Sequence, residues 1–174
     1  MEIGMSREKD QVAVLKCALG DRINLDIDNT LPEDFIFDGE KFSVKHSGSK
    51  IGTPVKAKWT SADKSVQDTI DAIINADDSY YPHLLITYLD TRTNKITIMG
   101  ISSETNRNII KEMKHGAFKI PAGNSRGIEY STTAMKRLLE KKSFVVDINE
   151  ADLSGGVDPI QRRIQLLTAA GVNP

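Results

Sequence analysis

The strongest constraint on this chain is a pair of turn residues, Asp38 and Gly39, set between two short runs of apolar and aromatic residues. Asp-Gly accommodates the positive φ angles of a tight hairpin loop, and Phe35-Ile36-Phe37 and Phe42-Ser43-Val44 have the strand propensity of its two arms. Two registers satisfy the pattern. A loop of Asp38 and Gly39 sets Asp34 opposite Ser43, whereas a loop of Gly39 and Glu40 sets Asp34 opposite Lys45. Side chains alternate across a strand, so either register puts Asp34, Ser43 and Lys45 on one face and Phe42, Val44 and His46 on the other.

That shared face has a chemical meaning. A hard divalent cation needs carboxylate oxygens, and a lysine beside it can orient or deprotonate a water or stabilise an anionic transition state. A surface hairpin with a solvated aspartate and lysine shows the same pattern, so spacing alone leaves both readings open.

The remaining elements follow from periodicity and caps. A helix is expected from about Ser6 to Leu19, a strand near Val55 to Trp59, and a helix from Asp63 to Asn75 with Val66, Ile70, Ile73 and Ile74 as its apolar stripe. Strands His83 to Leu89 and Lys95 to Ile101 flank a polar turn at Asp90 to Asn94. Ser103 is expected to cap a helix to about Lys114, and Ser131 one to about Lys142. A strand from Phe144 to Ile148 and a last helix from Asp158-Pro159, carrying Ile160, Ile164 and Leu167, complete the chain. The expectation is an α/β protein, a mixed sheet flanked by helices, forming a single domain over residues 1–174.

Composition excludes several classes. With 39% hydrophobic and 27% charged residues the chain matches an ordinary globular protein. It has no apolar run long enough for a membrane span and no secretory core near its start, so a cytoplasmic location is expected. The single Cys17 forbids an internal disulfide and is expected to pack as a small apolar residue. The three histidines form neither a zinc spacing nor a converging hydrolase triad. A net charge of −1 is far from the basic balance of a typical nucleic-acid binder. Any such binding must use local patches. Lys50, Lys56, Lys58 and Lys64 form one cluster, with Lys56 and Lys58 expected on one face of their strand and Trp59 on the other; Arg107, Lys111, Lys114, His115 and Lys119 form a second.

The order Pro32, Asp34, then Ser43-x-Lys45 resembles the PD(D/E)xK nuclease motif. The stretches Gly52-Thr-Pro-Val-Lys56-Ala-Lys58-Trp59-Thr60 and Gly123-Asn124-Ser125-Arg126-Gly127-Ile128-Glu129 resemble small type II restriction endonucleases. The resemblance spans about two thirds of the chain at the level of motifs. It departs from the pattern twice: Glu33 separates the proline from Asp34, and Ser43 stands where the family has its second acid. A neutral hydroxyl is a weaker metal ligand than a carboxylate, so another element has to supply that acid. Glu8, at helical spacing from Val12, Leu15 and Leu19, is the first candidate, followed by Asp71 and Asp68. Each is equally compatible with an ordinary charged helix surface.

The resemblance implies a magnesium-dependent deoxyribonuclease that cuts both strands of a short specific duplex. Asp34 and Glu8 would be metal ligands, and Asp34, Ser43, Lys45 and Glu8 the catalytic set. Lys56, Lys58, Asn124, Ser125 and Arg126 would contact DNA, since arginine reads guanine and asparagine reads adenine in the major groove. A simple turn in which Asn124 and Gly127 accept positive φ accounts for the second stretch equally well. A homodimer is expected from the symmetry of palindromic sites, and a cognate DNA methyltransferase in the same system, not as a stable subunit. The alternatives are a nuclease for branched or nicked DNA, as in junction resolvases and repair nucleases, and a DNA-binding module on an inactive nuclease fold.

Overall fold

The structure, a computed structural model, describes residues 11–13, 15–16, 18–27, 31–93, 95–122 and 126–149. Glu8, Cys17, Asn124, Ser125 and the helix expected from Asp158 lie outside the described residues. Residues 11–13, 15–16 and 18–19 are helical. The strands are β1 (Ile23–Asn24), β2 (Phe35–Phe37), β3 (Glu40–Ser47), β4 (Lys56–Trp59), β5 (His83–Asp90), β6 (Lys95–Ile101), β7 (Phe118–Lys119), β8 (Gly127–Tyr130) and β9 (Phe144–Asn149), with further helices at Val66–Asn75, Ser103–Met113 and Thr132–Glu140. Among these residues no helix is long and apolar enough to cross a membrane.

Six strands form one sheet in the order β1-β2-β3-β5-β6-β9, and β4-β8-β7 form a smaller one. The large sheet is mixed: β3 and β5 run parallel, while its other neighbouring pairs are antiparallel. The expected mixed α/β architecture is therefore the one observed. Joining parallel strands requires a crossover, and here the crossover contains β4 and the Val66–Asn75 helix. The connection that satisfies the topology also carries β4 and its lysines.

Two apolar clusters fix the two faces of the hairpin strands. Ile23, Phe35 and Val44 pack with Val12, Leu15 and Leu19. On the other face, Ser43 pairs with Leu84 and Lys45 with Ile86, two residues of the large core under the helices. Ser43 is consequently fully buried. The strand parity deduced from the hairpin sequence holds, but both faces of β3 are covered.

Buried polar contacts tie the small sheet to the large one. Tyr130 of β8 donates to Asn106 Oδ1 at 2.9 Å, and Asn106 Nδ2 donates to the Pro82 carbonyl at 3.1 Å, just ahead of β5. Burial pushes the Tyr130 phenol well above its ordinary pKa, so it stays a donor.

The caps differ from expectation by a residue or two. Ser65 caps the Val66–Asn75 helix, two residues past its expected start at Asp63, in a capping box with Asp68, because a hydroxyl followed three residues later by a carboxylate satisfies two end groups reciprocally. Ser102 rather than Ser103 caps the next helix, accepting from Thr105 N–H at 3.1 Å. Ser131 caps the Thr132–Glu140 helix as expected.

Candidate active site

The hairpin register is set at its tip. Phe37 pairs with Glu40, leaving Asp38 and Gly39 as the loop with φ of 48° and 86°. Those angles belong to the turn that matches strand twist, which selects the first of the two registers. Arg22 steadies the tip: its guanidinium donates to the Asp38 carboxylate and lies 4.5 Å over the Phe37 ring. That hydrogen bond holds the Asp38 carboxyl below its ordinary pKa.

With this register Asp34 lies across from Ser43, and its N–H donates to the Phe42 carbonyl at 2.7 Å. Its side chain then meets two donors and an ammonium at one oxygen. Asp34 Oδ2 accepts from Ser43 Oγ at 2.9 Å and from the Val44 N–H at 2.6 Å, and Lys45 Nζ lies 3.7 Å away. The Lys45 side chain is 13% exposed and that of Asp34 34%, so the pair is only partly screened by water. No described residue donates to Asp34 Oδ1, although donors converge on its twin. The result is a carboxylate held in one orientation through Oδ2, beside a largely buried ammonium.

One carboxylate oxygen suits a magnesium ion only in part. Mg²⁺ is commonly held by one or two carboxylates with waters and substrate phosphate, so Asp34 fits as an anchor, and a second acid must come from elsewhere. Among the described residues no three His, Cys, Asp or Glu side chains form a metal cluster. Two of the candidate acids have other partners: Asp68 receives the Ser65 hydroxyl at 2.6 Å in its capping box, and Asp71 sits 2.6 Å from His115 Nε2. Glu8 is outside the described residues.

Glu33, which in the sequence only interrupts the Pro-Asp pair, is a buried acid at 4% exposure. Its Oε1 lies 3.4 Å from Lys41 Nζ, and its Oε2 is buried with no described partner. No sequence signal pointed to it, since an acid next to a proline before a strand is common on surfaces. Tyr80 was missed as well. Lys58 Nζ donates to Tyr80 Oη at 2.9 Å, and a cavity of about 30 Å³, room for about one water, touches Ser43, Lys45, Lys58 and Tyr80. Tyr80 and Tyr81 form an aromatic pair ahead of a strand, which was the available clue.

The DNA-contact candidates are distributed differently from the expectation. The register between β4 and β8 shifts between Lys56 and Lys58. Such an irregularity breaks simple alternation, and Lys56 Nζ lies 3.5 Å over the Trp59 ring instead of on the opposite face. Arg126 donates from Nε and Nη2 to the Thr60 carbonyl at 3.3 and 2.9 Å, which anchors it to the end of β4. In the second basic cluster, Arg107 pairs with Asp78, Lys111 donates to the Ala76 carbonyl, His115 meets Asp71 and Lys119 pairs with Glu129. These contacts make it a structural surface that joins elements.

Neither a protein-family model nor a curated protein sequence matches this chain. A solved structure described as a restriction endonuclease in complex with substrate DNA superposes on it with a TM-score of 0.68 and 20% sequence identity, covering 97% of this chain and 81% of that one. The six-stranded mixed sheet flanked by helices is thus a restriction-endonuclease-like fold.

Proposed function

We propose that this protein is a type II deoxyribonuclease that hydrolyses both strands of a short specific duplex with magnesium. The observation that carries the reading is the convergence of Ser43, the Val44 N–H and Lys45 on one oxygen of Asp34. The likeness to a structure solved with substrate DNA supports DNA as the substrate.

In this reading Asp34 presents its second oxygen to the metal, and Ser43 is a positioning residue that holds the carboxylate in place. Bound magnesium would neutralise charge on the scissile phosphate and lower the pKa of a coordinated water. Lys45 orients the attacking water or stabilises the charge that develops on phosphate oxygens, so no protein nucleophile is required. Glu8 remains the first candidate for the second acid, ahead of Asp71 and Asp68, whose carboxylates have other partners. A symmetric dimer would match a palindromic site, and a cognate methyltransferase would protect the host's own DNA.

The test is digestion of duplex DNA of known sequence with magnesium, followed by mapping of the ends. Discrete fragments that vanish in Lys45→Ala support the reading. Folded protein that leaves mixed-sequence duplex intact sinks it, and cutting confined to branched or nicked DNA replaces it with a structure-specific nuclease. Ser43, a buried hydroxyl where the motif has its second acid, motivates one further reading, a DNA-binding module on an inactive fold. DNA binding that persists without metal, together with no loss of function in Lys45→Ala, is its signature.

A further inference from the structure

We propose that the cavity beside the hairpin receives an unpaired nucleobase, stacked on Trp59, next to the phosphate to be cut. This rests on the reading that the substrate is DNA. The cavity has a volume of about 750 Å³, within the range of small-molecule sites, and is lined by residues including Trp59, Thr60, Asp63, Lys64, Tyr80 and Arg126. It shares Lys58 and Tyr80 with the small cavity that touches Ser43 and Lys45, so its occupant would be a neighbour of the hairpin.

The lining suits a nucleotide, with an indole for the base and Lys58, Lys64 and Arg126 near the phosphate that flanks it. Trp59 is 42% exposed, a large indole left in contact with water at the end of a strand. Lys56 Nζ lies 3.5 Å over its ring and brings a cation to that aromatic platform. Thr60 is 3% exposed and closes the wall beside the indole, with Arg126 Nη2 donating to its carbonyl at 2.9 Å. Asp63 adds a carboxylate held ionised by the Ser61 hydroxyl, which can accept from a base amino group. Aromatic faces bind bases of any sequence by stacking, yet a paired base inside a duplex exposes only its edges. A base must leave the stack to meet Trp59.

Trp59 is the chain's single tryptophan, so its emission reports this site alone. The experiment compares two duplexes carrying 2-aminopurine, one fully paired and one with the analogue unpaired, titrated with calcium in place of magnesium to prevent cleavage. Quenching of Trp59 is expected, with about tenfold tighter binding of the unpaired-base duplex. Trp59→Ala should remove that preference, and Trp59→Phe should restore much of it. DNA binding with unchanged tryptophan emission, or a preference that survives in Trp59→Ala, overturns the inference and leaves the nuclease reading standing. Failure of the wild-type protein to bind any DNA overturns both.

Discussion

The β2–β3 hairpin and the β4–β8 edge differ in how their polar side chains are held. In the hairpin, Asp34, Ser43 and Lys45 meet at one carboxylate oxygen under two covered faces, with Ser43 fully buried. Along β4 the register slips, Trp59 stays 42% exposed, and Lys56, Lys58 and Arg126 turn to a ring, a phenol and a carbonyl. A tightly packed strand pair fixes distances and therefore suits chemistry. An exposed strand end beside a cavity suits binding, because the groups there remain open to a ligand.

The contrast can be broken most sharply at Lys45. Lys45→Ala should lower cleavage by roughly 10²–10³-fold, the effect of removing one preorganised charge donor, with DNA affinity nearly unchanged in a gel-shift titration. Comparable losses of affinity and cleavage would place Lys45 with the binding groups of β4.

The next effect is on stability. Ser43→Asp puts a second carboxylate beside Asp34 at a fully buried position, and should destabilise the metal-free protein by about 2–4 kcal/mol in denaturant unfolding. Magnesium should then raise the melting temperature of this variant more than that of the wild type, since a cation relieves the repulsion. An equal response in both proteins would argue against a cation at the hairpin.

A smaller change is expected at the edge. Lys58→Met removes the hydrogen bond to Tyr80 while keeping most of the apolar stem, and should cost about 1 kcal/mol in unfolding while weakening DNA binding through the lost charge. A variant that unfolds as readily as Ser43→Asp would show that the edge is as tightly built as the hairpin.

The smallest effect concerns pH. The Arg22 hydrogen bond holds the Asp38 carboxyl below its ordinary value. A depressed carboxylate contributes stability above its unfolded pKa and loses it as pH falls through the folded value. The Asp38–Arg22 contact should therefore persist through neutral and mildly acidic pH and open only below the ordinary carboxylate range. A carboxyl-shift titration by NMR reads this directly, and a midpoint at or above the ordinary carboxylate value would contradict it.

The hairpin was legible because its determinants are local. Asp38-Gly39 specifies the turn, strand alternation specifies the faces, and the two together bring Asp34 to Ser43 and Lys45. Caps were legible to within a residue or two for the same reason: Ser65 and Ser102 lie beside the residues first expected to serve. The β4 edge was not legible, because a register shift depends on the partner strand and alternation within one strand carries no record of it.

Taken by itself, the sequence determined the mixed α/β class, the hairpin and the common face of Asp34, Ser43 and Lys45, since all three follow from short-range periodicity and turn chemistry. Tertiary structure alone decided that Glu33 is buried, that Arg107, Lys111, His115 and Lys119 are engaged between elements, and that Trp59 borders a cavity. Those outcomes depend on what packs against each strand, and residues distant in the chain supply that packing.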